Sequence, residues 1–95
     1  MSAYENAYLK PTRYLRFEQI HRPKRVTMTW AVVSQSSSVK LGEIRWHSPW
    51  RQYVFFPSSE TLFNVECMVT ICDRIQTLAR WRENVKTNLE KVVAS

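Results

Sequence analysis

Apolar and polar positions alternate with a period of two over much of residues 13–57, which is typical of half-buried β-strands. The pattern predicts four strands, at residues 13–20, 26–34, 39–47 and 50–56. The connections between them are a basic turn with a proline at 21–25, a polar loop at 35–38, and Ser48-Pro49. Proline presets φ and donates no ladder hydrogen bond, so Pro49 belongs in a turn rather than in a strand.

The spacing of apolar residues becomes helical after residue 64, and it predicts a helix over about residues 64–93. Asn64 is the expected N-cap, and Glu66 in the first turn complements the helix dipole. The apolar positions are Met68, Ile71, Cys72, Ile75, Leu78, Ala79, Val85, Leu89 and Val92. The polar stretch at residues 81–84 predicts either a bend or a plain extension of the helix across it.

These elements predict a single domain of the α+β class. The expected fold is a small antiparallel three- to four-stranded sheet with one long C-terminal helix packed on one face. Ninety-five residues are enough for one modest core. Residues 1–12 are polar with scattered tyrosines and are expected to be loosely ordered, so the domain is expected to span residues 13–95.

The alternation also assigns side chains to the two faces of the sheet. The face beneath the helix is expected to hold Met28, Trp30, Ile44, Trp46, Val54 and Phe56. The opposite face is expected to hold Arg45, His47, Arg51, Tyr53 and Phe55. Trp50 is expected in the core or at its edge. A register shift of one residue would exchange the two sets.

The net charge of +6 is unevenly distributed along the chain. Residues 1–25 carry six basic and two acidic side chains, and residues 26–57 carry three and one. Residues 58–95 carry five of each. A basic surplus confined to the N-terminal segment and the strands favours a polyanionic partner such as nucleic acid.

Two strand motifs, Gly42-x-Ile44-x-Trp46 and Trp50-Arg51-x-Tyr53-x-Phe55-Phe56-Pro57, are followed by Phe63, Cys67 and Ile71. This arrangement resembles a small uncharacterised domain of phage and mobile-element proteins, and the resemblance covers about a third of the chain. It implies a viral or mobile-element origin and no particular activity. In architecture alone, the expected fold is similar to the arm-type DNA-binding domains of phage integrases and to plant AP2 domains, which place a sheet in the major groove.

The first functional hypothesis is a nucleic-acid-binding module that uses a basic, aromatic sheet face. Arginine pairs with phosphate or guanine edges, and exposed rings stack on bases. The candidate contact residues are Arg45, Arg51, Tyr53, Arg13, Arg16, Arg22, Lys24 and Arg25. The alternative is a protein-interaction module, either a homodimer or an inhibitor of a host protein, with Trp81, Val85 and Leu89 in the interface.

The sequence contains few features that would indicate catalysis, metal binding or membrane insertion. It holds no glycine-rich phosphate loop, nucleophile elbow, HExxH motif or paired carboxylates. Cys67 and Cys72 are five residues apart on the expected helix, which suits neither a disulfide nor a zinc knuckle. We therefore expect a protein that is not an enzyme and has no metal, cofactor or small-molecule substrate. No apolar run approaches a membrane span, no secretory signal is apparent, and a cytoplasmic location is expected.

Overall fold

The structure, a computed structural model, describes residues 8–22 and 26–94, with side chains described up to residue 84. It confirms the α+β fold class. Four antiparallel strands lie side by side in chain order and precede one helix. The elements are β1 (Leu15–Ile20), β2 (Thr29–Ser34), β3 (Lys40–His47), β4 (Gln52–Pro57) and α1 (Val65–Ala94). Every strand predicted from the alternation is present, each with a later start than predicted.

The helix begins where its capping residue predicts. The Asn64 side-chain Oδ1 accepts a hydrogen bond from the backbone N–H of Cys67 at 2.8 Å, which satisfies one of the unpaired amides of the first turn. Glu66 lies in that turn as expected. Helical structure continues without a break across residues 81–84, so the polar stretch extends the helix.

The core lies between the helix and one face of the sheet. Its fully buried members include Leu15, Val32, Ile44 and Leu78, one from each of β1, β2, β3 and α1. Cys67 and Ile71 of the helix also belong to it. Of the other predicted stripe residues of the early helix, Ile75 is half-buried against the core, and Met68, Cys72 and Ala79 are exposed. The apolar arc of the helix is therefore wider than the face that the sheet covers.

The segment before β1 is packed where the structure describes it, in contrast to the expectation for residues up to 12. Leu9 is 2% exposed and belongs to the core cluster. The guanidinium of Arg74 donates two hydrogen bonds to the backbone carbonyl of Lys10, at 2.8 and 3.1 Å. Residues 1–7 lie outside the described part of the chain.

The predicted faces are correct for β3 and wrong for β4. In the antiparallel pair, His47 lies opposite Gln52, Arg45 opposite Val54, and Trp46 opposite Tyr53. Residues directly opposite each other share a face, so Tyr53 and Phe55 lie with Ile44 and Trp46 beneath the helix. Val54 and Phe56 lie with Arg45 and His47 on the other face, which we call the open face.

Candidate functional site

The open face carries a continuous row of aromatic and basic side chains at the end where β3 turns into β4. The Arg45 guanidinium lies over the Phe56 ring, 3.5 Å from its centroid. The Phe56 and His47 rings are 5.9 Å apart, and the His47 and Trp50 rings are 4.8 Å apart, both edge to face. Together with Arg51, these residues form what we call the hairpin-end surface, which therefore consists of Arg45, His47, Trp50, Arg51 and Phe56.

A short 3₁₀ turn (Ser48–Trp50) presents Trp50 and Arg51 at the tip of this surface. Pro49 at the start of the turn favours its φ, and Arg51 closes it by donating its backbone N–H to the Ser48 carbonyl at 3.1 Å. Arg51 adopts the left-handed conformation, with φ 53° and ψ 46°, which costs about 1 to 2 kcal/mol in a residue other than glycine. Trp50 is 65% exposed, an unusual condition for an indole ring in a small domain.

Arg45 lies beside a carboxylate, and a second arginine lines the same cleft. Its Nε lies 3.6 Å from Glu43, which also accepts a hydrogen bond from Lys40. The hydrogen bond from Lys40 lowers the pKa of Glu43, and the charges of Lys40, Arg45 and Arg22 lower it further against the opposing effect of burial. Arg22 and Arg45 line one polar cleft beside this pair, together with Thr27 and Thr29. Glu43 is shared with Lys40, so it offsets the positive charge of Arg22 and Arg45 only in part.

The other predicted nucleic-acid contacts are not assembled into one surface. Arg16 is on the open face, paired with Glu18 at 2.9 Å. It lies opposite Val33 of β2, whereas Arg45 lies opposite Thr29, about 13 Å further along that strand. Arg13 binds Glu66 of the helix at 3.1 Å, which raises the pKa of its guanidinium. Lys24 and Arg25 lie outside the described residues.

Tyr53 is not on the open face, so its expected position there is wrong. It is 2% exposed and packs in the core, edge to face with Trp46. A buried ring has no face on which a base can stack. Its place in the aromatic row is taken by Phe56, because the faces of β4 are exchanged relative to the prediction.

The residues of the predicted helical interface are only partly described. Trp81 is half-buried and packs against the core cluster. Beside it in sequence, the Arg82 guanidinium lies 4.1 Å from the centroid of the Trp46 ring, so this charged residue packs on the sheet through a cation–π contact. The side chains of Val85 and Leu89 lie outside the described residues.

Sequence reasoning missed two contributors to the hairpin-end surface. The alternation predicts Trp50 in the core or at its edge, and Phe56 beneath the helix. Both errors arise from the connection, which holds four residues, 48–51, between the paired His47 and Gln52. The predicted faces would need His47 to pair with Arg51 instead. Ser-Pro favours the start of a turn, and a 3₁₀ turn needs three residues. This signal could have predicted the longer connection.

A metal site and a membrane-spanning helix are both absent from the part of the chain that the structure describes. No group of three or more His, Cys, Asp or Glu side chains is placed to hold a metal ion there. Among the same residues, no helix has the length and apolar character needed to cross a membrane.

Comparison with known proteins relates this chain to a phage protein. No protein-family model matches the chain, and no solved structure matches it. An uncharacterized 9.3 kDa protein of Acholeplasma phage L2 is 32% identical over 75 residues, which cover 79% of this chain and 96% of the phage protein. The chain therefore belongs to the same family as this uncharacterized phage protein.

Proposed function

We propose that this chain is a small nucleic-acid-binding module of phage or mobile-element origin, and that the hairpin-end surface makes the contact. The observation that carries the proposal is the 65% exposed Trp50 ring at the end of a continuous row of ring and guanidinium contacts. An indole flanked by arginine side chains combines a stacking platform with phosphate ligands, the pairing used in single-strand recognition.

Four residues of the surface, and Arg22 beside it, have a chemical part in this proposal. Arg45 lies over the Phe56 ring, a contact that restrains its guanidinium, and the guanidinium N–H groups can donate to a phosphate. Arg51 adds a second cation at the tip of the turn, and Arg22 a third in the neighbouring cleft. Trp50 supplies the ring on which a base stacks, a contact worth about 1 to 3 kcal/mol.

The test is fluorescence anisotropy with labelled single-stranded DNA, duplex DNA and RNA over a salt series. Three phosphate contacts predict that log K falls against log salt with a slope of roughly −2 to −3. The double variant Arg45→Ala with Arg51→Ala should weaken binding by about tenfold or more at low salt, since each charged hydrogen bond contributes at least about 1 kcal/mol. The unfolding midpoint reports whether the fold is kept.

A matched control removes the same charge elsewhere. Lys10 and Arg80 have exposed side chains outside the hairpin-end surface. The double variant Lys10→Ala with Arg80→Ala should retain affinity within about twofold to threefold, the loss expected from net charge alone. Equal losses of affinity in the two double variants would mean that binding depends only on net charge. Unchanged affinity of the Arg45/Arg51 variant would refute the proposal that the hairpin-end surface makes the contact.

A second candidate function, protein interaction, is favoured by a different surface. An apolar groove of about 370 Å³ runs between β4 and the early helix, lined by Phe55, Pro57, Phe63, Met68, Ile71, Cys72, Ile75 and Gln76. Among these described residues, Gln76 is the one with a polar side chain, and none is charged. A concave apolar surface without charge suits a protein segment and offers nothing to a polyanion.

A further inference from the structure

We infer that a second copy of this chain covers the early half of α1, pairing antiparallel with it so that the two helices fill each other's apolar grooves. The inference rests on the second proposed function, protein interaction, and it names the partner. It is independent of the hairpin-end surface, which belongs to the other face of the sheet.

The early helix has a second apolar stripe that the sheet leaves uncovered. Val65, Met68 and Val69 are 71%, 53% and 62% exposed. Cys72 and Ala79 are exposed as well. At 100° per residue these five side chains fall within an arc of about 100°. The buried residues Cys67, Ile71 and Leu78 define a different side of the helix. The uncovered stripe is thus about four turns long, and between Val65 and Ala79 one exposed polar residue, Gln76, lies within its arc.

The groove lies directly beside this stripe. Met68 and Cys72 belong to both, so a helix laid along the stripe would place side chains into the groove between α1 and β4. The groove floor is provided by the Phe55 and Phe63 rings, which pack edge to face at 5.3 Å. An antiparallel pair centred near Cys72 brings Met68 of the second copy opposite Gln76, so that its long apolar side chain meets a groove that has no charged lining residue.

Electrostatics favour a second copy over an acidic or basic partner at this site. The chain carries +6 overall, yet residues 58–95 hold five basic and five acidic side chains. Two molecules that meet through their helices therefore bring together the neutral halves and keep the basic strands apart. A strongly acidic partner would find its complement on the sheet side, and neither an acidic nor a basic partner would find an excess of opposite charge in the helical half.

The order of charges along the helix favours the antiparallel arrangement. Glu66 and Arg80 lie on the same flank of the uncovered stripe, at its two ends. An antiparallel pair centred near Cys72 sets Glu66 of each copy opposite Arg80 of the other, whereas a parallel pair would leave this attraction unused. Glu66 keeps a side chain that is 47% exposed although it binds Arg13, so it can accept both arginines. Asp73 at the middle of the flank is held by Arg74 at 2.5 Å.

The experiment uses the full chain and measures its oligomeric state and the distance between the two Cys72 side chains of a dimer. Sedimentation velocity from about 5 to 300 μM should show a monomer–dimer equilibrium in the micromolar range, since a single helix pair buries less than about 1,200 Å². A short bismaleimide should link two copies through Cys72, which is exposed and lies near the expected two-fold axis, while Cys67 is buried. Cys72→Ser should abolish the link without altering the dimer.

Two matched variants locate the contact. Val69→Lys should weaken dimerisation by tenfold or more, because it places a charge in the middle of the stripe. Val39→Lys makes the same change at a site of similar exposure, 55%, in the loop before β3, and should leave the dimer unchanged. Dimerisation that survives Val69→Lys and still lacks the Cys72 link would overturn the inference.

Failure of the inference and failure of the proposed function give different results. A chain that is monomeric at the highest concentration, but whose groove binds the dye bis-ANS in a way that Met68→Lys abolishes, overturns self-pairing and leaves the surface open to another protein. A monomer that does not bind the dye overturns both self-pairing and protein interaction at this groove. High salt should strengthen the dimer, the opposite of its expected effect on nucleic-acid binding.

Discussion

The phenolic oxygen of Tyr53 accepts a hydrogen bond from the backbone N–H of Met28 at 3.2 Å, and both residues are buried. The bond joins the edge strand β4 to the segment that leads into β2, across the intervening β3. It shows why this tyrosine belongs to the architecture of the domain rather than to a binding surface.

Tyr53→Phe should therefore lower the free energy of unfolding and leave nucleic-acid binding unchanged. Removing the hydroxyl leaves the Met28 amide buried without this acceptor, which costs about 1 to 2 kcal/mol. Urea denaturation measures the loss, and Tyr8→Phe, at a 66% exposed ring, is the control that should stay within about 0.5 kcal/mol. If Tyr53→Phe lost nucleic-acid binding and kept its stability, Tyr53 would be a contact residue and this prediction would be wrong.

Gly42→Ala should destabilise the sheet by about 2 kcal/mol or more, because the space beside the Gly42 backbone is occupied. A Cβ there would lie 2.5 Å from the Phe56 carbonyl oxygen and 2.7 Å from the Phe55 ring. Thermal unfolding of Gly42→Ala and of Gly42→Ala with Phe55→Leu separates the two contacts. The second change relieves the ring alone, so we expect partial rescue, and a fully tolerated alanine would contradict the observed packing.

Arg51→Gly should stabilise the fold while weakening nucleic-acid binding. Glycine adopts the left-handed conformation without a Cβ penalty, so the net gain is about 0.5 to 1 kcal/mol after the greater freedom of the unfolded chain is counted. Glu60 has a similar φ of 57°, in the loop before the helix. Glu60→Gly is thus the control, expected to gain similar stability and to keep its affinity. Equal affinity in the two variants would exclude Arg51 from the contact.

The stability of the sheet should depend on pH through Glu43. The folded pKa of Glu43 is lowered chiefly by its hydrogen bond to Lys40, so its contribution is complete above the unfolded pKa of about 4.3 and is lost as the pH falls through the folded value. Glu43→Gln should cost roughly 0.5 to 1 kcal/mol at pH 7 and progressively less toward pH 3. Urea denaturation at several pH values tests this.

A double-mutant cycle assigns this pH dependence to its cause. In a Lys40→Ala background, the loss of unfolding free energy caused by Glu43→Gln should shrink at pH 7, since the strongest partner of the carboxylate is gone. An unchanged cost of Glu43→Gln in that background would assign the effect to Arg45 and Arg22 instead.

Local signals in the sequence were reliable because they depend on neighbours along the chain. Asn64 caps the helix through an atom three residues away, at Cys67, and this contact needs no tertiary structure. The faces of β3 follow from its own alternation, and Ile44 and Trp46 lie beneath the helix as expected. The burial of Leu9 had no such signal, because an isolated leucine in a polar segment has no period to reveal its partner.

What the sequence determined by itself is the α+β class, the order of strands and helix, the helix cap and the basic character of the strand half. The tertiary structure alone decided which side of β4 faces the helix and how much of the apolar arc of α1 the sheet covers. The physical reason is the same in both cases. Side chains on a strand change face with every residue, so one more residue in the turn before Gln52 exchanges Tyr53 with Phe56. A helix likewise exposes whatever part of its arc exceeds the width of the sheet against which it packs, and here that part includes Val65, Met68 and Val69.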